Sequence, residues 1–322
     1  MNKKIFVFSI LILIFLAGCK SSKIQEDNDL QNENVELYTL VKYPDAMLWE
    51  INGETEAGEK SKVYLLGTYH AGDERILNYP ESVKKAIEEA NHFCCELSEK
   101  DFADMNEEVS LRTVESIITD FSHTLIDDLT PDEINLVLKY VDEQTFAQLV
   151  CFEPWVLSNY LSGFVIINSG LSTELSYDTT IINKITEMGY SFDGLDLLST
   201  QLDLTAYGNW DEQMLLLKDT LADIENIDEA AEEMKQIYEV FLTGDDKLME
   251  EVYFKDVNLA IEENPVYKKY FEALLNERNE KWAVRIADYL SKPGTTFVFA
   301  GTAHFLGDNS VFSYMRENGT LK

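Results

Sequence analysis

The strongest constraint on this chain is a tetrad that occurs twice, GTYH at Gly67 to His70 and GTAH at Gly301 to His304, each directly after a short apolar run. Val63-Tyr64-Leu65-Leu66 precedes one copy and Phe297-Val298-Phe299-Ala300 the other, and runs of this kind make buried strands. Each copy therefore reads as strand, glycine turn, histidine. With 15 Gly in 322 residues, a given His has about a 5% chance of Gly three positions before it; two of the four His have it, with Thr in the second slot both times. Glycine lets the backbone turn sharply over a sheet edge, and the carboxyl ends of strands are where open α/β sheets gather ligands. Gly-Thr after a strand is also ordinary turn chemistry, but turn chemistry does not demand His at the same offset twice. The expectation is that His70 and His304 converge on one site. His92 and His123 lack this context and are read as structural or surface residues.

The amino terminus gives an address. Met1-Asn2-Lys3-Lys4 is a basic start, Ile5 to Leu16 is an apolar stretch of signal-peptide length, and Leu16-Ala17-Gly18-Cys19 resembles the lipobox of bacterial lipoproteins. Residues 1–18 are then a lipoprotein signal peptide. Cys19 becomes a lipidated first residue, and the chain is extracytoplasmic, anchored to a bacterial membrane through that lipid. Residues 19–43, with Glu26-Asp27-Asn28-Asp29 and few large apolar groups, read as a flexible tether.

The formal charge of −33 becomes −35 without Lys3 and Lys4, which excludes nucleic acid as a partner and disfavours anionic lipid surfaces except through the lipid itself. With 45% hydrophobic and 11% aromatic residues, the chain can still bury a large core, so the acidity belongs to its exterior. The expected fold class is α/β. A single domain over 44–322 carries both strand-GxxH units in a mixed, partly parallel central sheet flanked by many helices. Apart from Cys19 the cysteines are Cys94, Cys95 and Cys151, an odd count with two adjacent, and they read as small buried hydrophobes.

Along the chain, Met47 to Ile51 alternates as a strand and forms a hairpin with the strand that ends in the first tetrad. Tyr79-Pro80-Glu81-Ser82 opens a helix, and His92 to Leu97 is a second apolar strand, so the unit implies a right-handed crossover to a parallel neighbour. Glu96 stands near the end of that strand, where a carboxylate must be paired, hydrogen-bonded or bound to a cation. Glu99 falls in the acidic run that follows and reads as a solvated helix start. The middle is helical, with starts at Pro131, Pro154 and Ser172, and 192–197 could be a short return strand with Asp196 near its end. A last long helix over 265–290 carries an apolar stripe of Tyr267, Phe271, Leu274, Trp282, Ile286 and Tyr289. Arg278 falls on that stripe and needs an anion to face, either a structural ion-pair partner or a substrate group.

The order of segments LWEINGE, KVYLLGTYH, YPESVKKAIEEAN, CCELSE, FEPWVLSNYL, SYDTTIINKITEMGYSFDGLDLLSTQ, NERNEKWAVRI and TTFVFAGTAHFLGDNS resembles the TraB/GumN family, which is related to the Tiki proteases that cleave Wnt proteins. The resemblance covers about 46–319. It implies a peptidase site in which His70, His304 and Glu96 surround a divalent metal, with Arg278 as the fourth site residue. Asp178 and Asp196 lie in matching segments of looser pattern. The family suggests Mn or Co, and Zn is chemically plausible, since two imidazoles and a carboxylate can leave a coordination position for water.

The function expected is thus a metal-dependent hydrolase acting on an extracytoplasmic peptide or protein. Two alternatives stand beside it. One is a lipoprotein that sequesters a peptide or haem without turnover, the other a metal-free esterase with His70 or His304 as general base.

Overall fold

The computed structural model describes residues 38–322. The signal peptide, Cys19 and most of the expected tether lie outside them. Six strands form one mixed sheet: β1 (Leu40–Lys42), β2 (Leu48–Glu54), β3 (Lys60–Thr68), β4 (His92–Cys95), β5 (Asp193–Gly194) and β6 (Gly294–Gly301), in the spatial order β1-β2-β3-β6-β4-β5. The α/β class and the mixed, partly parallel sheet are as the sequence predicts. The tether boundary at 43 is corrected, because Leu40 to Lys42 pair with Ile51 to Trp49 and Tyr38 bridges to Leu321.

The first three strands are antiparallel neighbours and the remaining four, counting β3, run parallel. The hairpin of β2 and β3 follows the predicted alternation. The crossover through the helix Glu81–Glu89 also forms, but β4 is not the neighbour of β3, because β6 lies between them. A sequence separation of some two hundred residues hides that insertion from local pattern. Its physical cause is burial: Phe297, Val298, Phe299 and Ala300 are all fully buried, as a central strand of a sheet covered on both faces requires.

This order sets all four carboxyl ends of β3, β6, β4 and β5 on one edge. Thr68 pairs with Gly301, so the two tetrads sit side by side, offset by one residue. Glu96 follows β4 directly, and its carbonyl accepts from the Asp196 N–H at 2.8 Å just beyond β5.

Helices cover that edge. Pro154–Ser169, Trp210–Glu225 and Ile227–Thr243 pack together, and the first two share an apolar cluster that includes Leu157, Leu161, Leu217 and Leu221 and is separate from the sheet core. The predicted helix over 265–290 is interrupted: α-helix over Pro265–Phe271 passes through a π-helical turn, Glu272–Asn276, before α-helix resumes over Glu277–Leu290. The wider turn changes the phase of the second segment just before Arg278, and such turns recur at functional sites. Among the described residues no helix is long and apolar enough to cross a membrane.

Candidate functional site

A cavity of about 290 Å³ lies between the carboxyl edge of the sheet and the helices above it. Its walls are apolar, with Met105, Val109, Leu198, Leu202, Met249 and Leu274 among them, and its floor carries His70, Glu96, Arg278 and His304. The four residues expected at the site are therefore brought together. Glu99 begins the helix Glu99–Glu115 and is exposed, as expected. His92, half-buried, pairs with Asp193 and the exposed His123 with Asp128, both away from the floor. Cys94, Cys95 and Cys151 are free thiols.

Each tetrad makes room for the other. A β-carbon at Gly301 would stand 3.0 Å from His70 Nε2, and one at Gly67 would stand 2.8 Å from Thr302 Oγ1 and 3.1 Å from Thr302 Cα. Thr302 Oγ1 donates to the Thr68 carbonyl at 2.8 Å and fastens the second tetrad to the first.

His70 is set by Asp178, in the first turn of the helix Tyr177–Glu187, which Ser176 caps. One carboxylate oxygen is 2.9 Å from His70 Nδ1 and the other accepts from Thr68 Oγ1 at 2.8 Å. That anchor turns Nε2 toward Glu96 Oε1, 3.9 Å away. Burial opposes a charge on this ring, but the Asp178 carboxylate, its hydrogen bond and then Glu96 hold the imidazole above its ordinary pKa.

Glu96 is gripped from three sides. Gly301 N donates to Oε1 at 2.8 Å, while Arg278 Nη2 at 2.6 Å and Gln201 Nε2 at 3.1 Å donate to Oε2. Arg278 in turn donates from Nε to Asp196 Oδ2 at 2.6 Å and from Nη1 to the Leu274 carbonyl at 2.9 Å, inside the π-helical turn. Its guanidinium lies over the Trp282 ring at 4.7 Å, and Trp282 Nε1 donates to Asp196 Oδ1 at 2.8 Å. Burial works against the guanidinium charge, but Glu96 and Asp196 raise its pKa and keep it cationic. Burial also pushes the Asp196 carboxyl up, against the opposing pull of Arg278.

His304 is fixed by the residue next to that arginine. Asn279 Nδ2 donates to the Asn309 carbonyl at 2.8 Å, which leaves its Oδ1 as an acceptor 2.6 Å from His304 Nδ1. The proton is therefore on Nδ1, and the lone pair of Nε2 accepts from Arg278 Nη1 at 3.1 Å. Burial, then Arg278 and His70, hold this imidazole well below its ordinary pKa, so it is neutral.

The expected metal can be tested against this arrangement. His70 has the carboxylate backing typical of a metal-bound imidazole, and its Nε2 faces Glu96. The third donor, His304, fails, because its lone pair is directed at the Arg278 guanidinium, and of the Glu96 oxygens only Oε1 remains toward His70. Among the described residues no three His, Cys, Asp or Glu side chains are placed to hold one ion. With Arg278 docked, the set does not fit Mn, Co or Zn.

The sequence model of the TraB/PrgY/gumN family matches residues 47–321. The chain belongs to the TraB/PrgY/gumN family. Within it, the chain is 23% identical over 321 residues to an uncharacterized protein of Treponema pallidum (strain Nichols), covering 99% of this chain and 91% of that relative. No solved structure matches. For this TraB/PrgY/gumN member, sequence reasoning placed Asp178 and Asp196 only in looser segments and missed Gln201 and Asn279. Asn279 adjoins Arg278 in the ERN run, a usable signal; Gln201 sits on the helix Leu198–Thr205 with no local mark of its role.

Proposed function

We propose that this chain is a hydrolase that cleaves amide bonds of peptides outside the cytoplasm, with the apolar cavity receiving substrate side chains. The observation that carries the reading is the facing pair on the cavity floor: His70 Nε2 and Glu96 Oε1 stand 3.9 Å apart. That separation is too long for a direct hydrogen bond and suits an oxygen atom shared between them. His70, raised by its carboxylates, is the acid of the pair, and Glu96 is the base.

The proton account closes without further groups. Glu96 takes a proton from water as the water oxygen adds to the amide carbon, and His70 gives its Nε2 proton to the departing nitrogen. Glu96 then returns a proton to His70, leaving one acid and one amine from one amide and one water. Arg278, Gln201 and the Gly301 N–H hold Glu96 oriented, and Asp178 keeps the proton-bearing face of His70 toward the floor. No step is routed through a metal.

A peptide library incubated with the full chain and read by mass spectrometry tests this. Cleavage is expected to persist in chelator, and His70→Gln and Glu96→Gln are each expected to lower the rate by about 10²-fold or more while the chain stays folded. Stoichiometric peptide binding without product would favour sequestration instead. Cleavage abolished by chelator and restored by Mn2+ would return the chemistry to a metal.

The extracytoplasmic placement rests on the Leu16-Ala17-Gly18-Cys19 signal, with the membrane reached through lipid on Cys19. Acyl labelling decides it: label is expected on the wild type and absent from Cys19→Ala, and label retained by that variant would overturn it.

A further inference from the structure

A divalent ion shared by His70, Glu96 and His304 needs three lone pairs aimed at one point. The His304 lone pair is already aimed elsewhere, and Glu96 keeps only Oε1 facing His70. Glu96 Oε2 lies 2.6 Å from Arg278 Nη2, and His304 Nε2 lies 3.1 Å from Arg278 Nη1. The His304 lone pair is committed to that direction by the Asn309-Asn279-His304 chain of hydrogen bonds. Arginine has no lone pair to offer a metal and does not lose its proton in a protein. A dication among these donors would stand beside a buried, permanent positive charge, where screening is weak.

We propose that Arg278 is the resident cation of this site, so that its docked guanidinium and a divalent ion exclude one another, and that the presence of this side chain sets the affinity of the site for metal. The charge pattern fits the assignment. Arg278 is buried at 4% exposure and is paired with two buried carboxylates, Glu96 and Asp196. Removing the guanidinium leaves both anions uncompensated beside His70 and a released His304, which is a cation site in want of a cation. Trp282, under the guanidinium, and Leu274, whose carbonyl it caps, hold the arginine in place from sides that offer no charge.

The inference does not depend on peptide cleavage, because metal affinity is measured without turnover. Mn2+ alone is titrated into the full chain by calorimetry. Arg278→Gln is expected to bind Mn2+ at least tenfold more tightly than the wild type. His304→Ala is expected to leave the wild-type affinity, however weak, unchanged, and to cancel the gain when combined with Arg278→Gln, a strong non-additivity. Equal or weaker binding by Arg278→Gln overturns the proposal. If Arg278→Gln folds only when Mn2+ is present, seen as a cooperative melt that appears on adding the ion, the metal has replaced the guanidinium and the proposal stands. If it folds in neither condition, His304→Ala in the wild-type background decides: a tenfold or greater loss of Mn2+ affinity makes His304 a ligand with Arg278 present and overturns the proposal, and no loss supports it.

Discussion

Gly301 leaves open the space that His70 fills: a β-carbon there would stand 3.0 Å from His70 Nε2 and 3.4 Å from Glu96 Oε1. The glycine of one tetrad is thus part of the setting of the other tetrad's histidine. Its φ of −48° is open to any residue, so the requirement at Gly301 is space and not backbone freedom.

Gly301→Ala and Gly67→Ala should therefore differ in kind. At Gly301 the crowded atoms are side-chain ends that can shift, so the expected result is at least a tenfold loss of activity with a stability cost near the low end of about 1–3 kcal/mol. At Gly67 the crowded atoms include Thr302 Cα at 3.1 Å, and backbone cannot yield cheaply, so the larger loss of melting temperature is expected there. Equal melting temperatures for the two variants would contradict this division.

The two tetrad histidines should give stability a maximum in pH. His304 is held well below 6.5 by burial, Arg278 and His70, so the unfolded chain takes up a proton that the folded chain refuses, and stability falls as pH drops below 6.5. His70 is raised, against burial, by Asp178 and Glu96; its contribution is full below 6.5 and is lost as pH rises through its folded pKa. Each limb has a slope of at most about 1.4 kcal/mol per pH unit. Melting curves from about pH 5 to 9 should lose the acid limb in His304→Gln and the alkaline limb in His70→Gln. Variant profiles that run parallel to the wild type on those limbs would sink the assignment.

Asp178 acts through His70. Asp178→Asn keeps the size of the side chain and removes the charge, so the His70 pKa should fall and the alkaline limb of the activity profile should move to lower pH. A merely structural role would lower the melting temperature and leave that limb in place. Rescue by Asp178→Glu would not be expected, because Thr68 and His70 fix both oxygens at hydrogen-bond distance.

Asp219 lies away from the floor on the helix Trp210–Glu225, and its Oδ2 is buried with no hydrogen-bond partner. Burial, with a contribution from Glu263, pushes its carboxyl up to about 7. A raised carboxyl favours the folded state in its protonated form, so the stabilising balance is present at low pH and is lost as pH rises through about 7. Asp219→Asn is expected to raise stability above that pH by about 1–3 kcal/mol and to change little near pH 4. Equal effects at both pH values in denaturant titrations would refute the burial account.

Much of this protein was legible in the linear chain because its signals are local. The apolar runs before Gly67 and Gly301, the helix starts at Pro131 and Pro154, and the lone carboxylate of Glu96 after an apolar strand are all readable within a few residues. They determined the α/β class and the four residues His70, Glu96, Arg278 and His304 that line one cavity floor. What tertiary structure alone decided is how those residues face one another. The placement of β6 between β3 and β4 sets Thr68 beside Gly301, and the π-helical turn over Glu272–Asn276 phases Arg278. Hydrogen-bond partners then choose the tautomer of His304 and aim its lone pair at a guanidinium. Those outcomes depend on contacts across as many as 234 residues, where short-range periodicity carries no information, and they turn a set of residues that reads as a metal triad into an arginine-centred charge cluster.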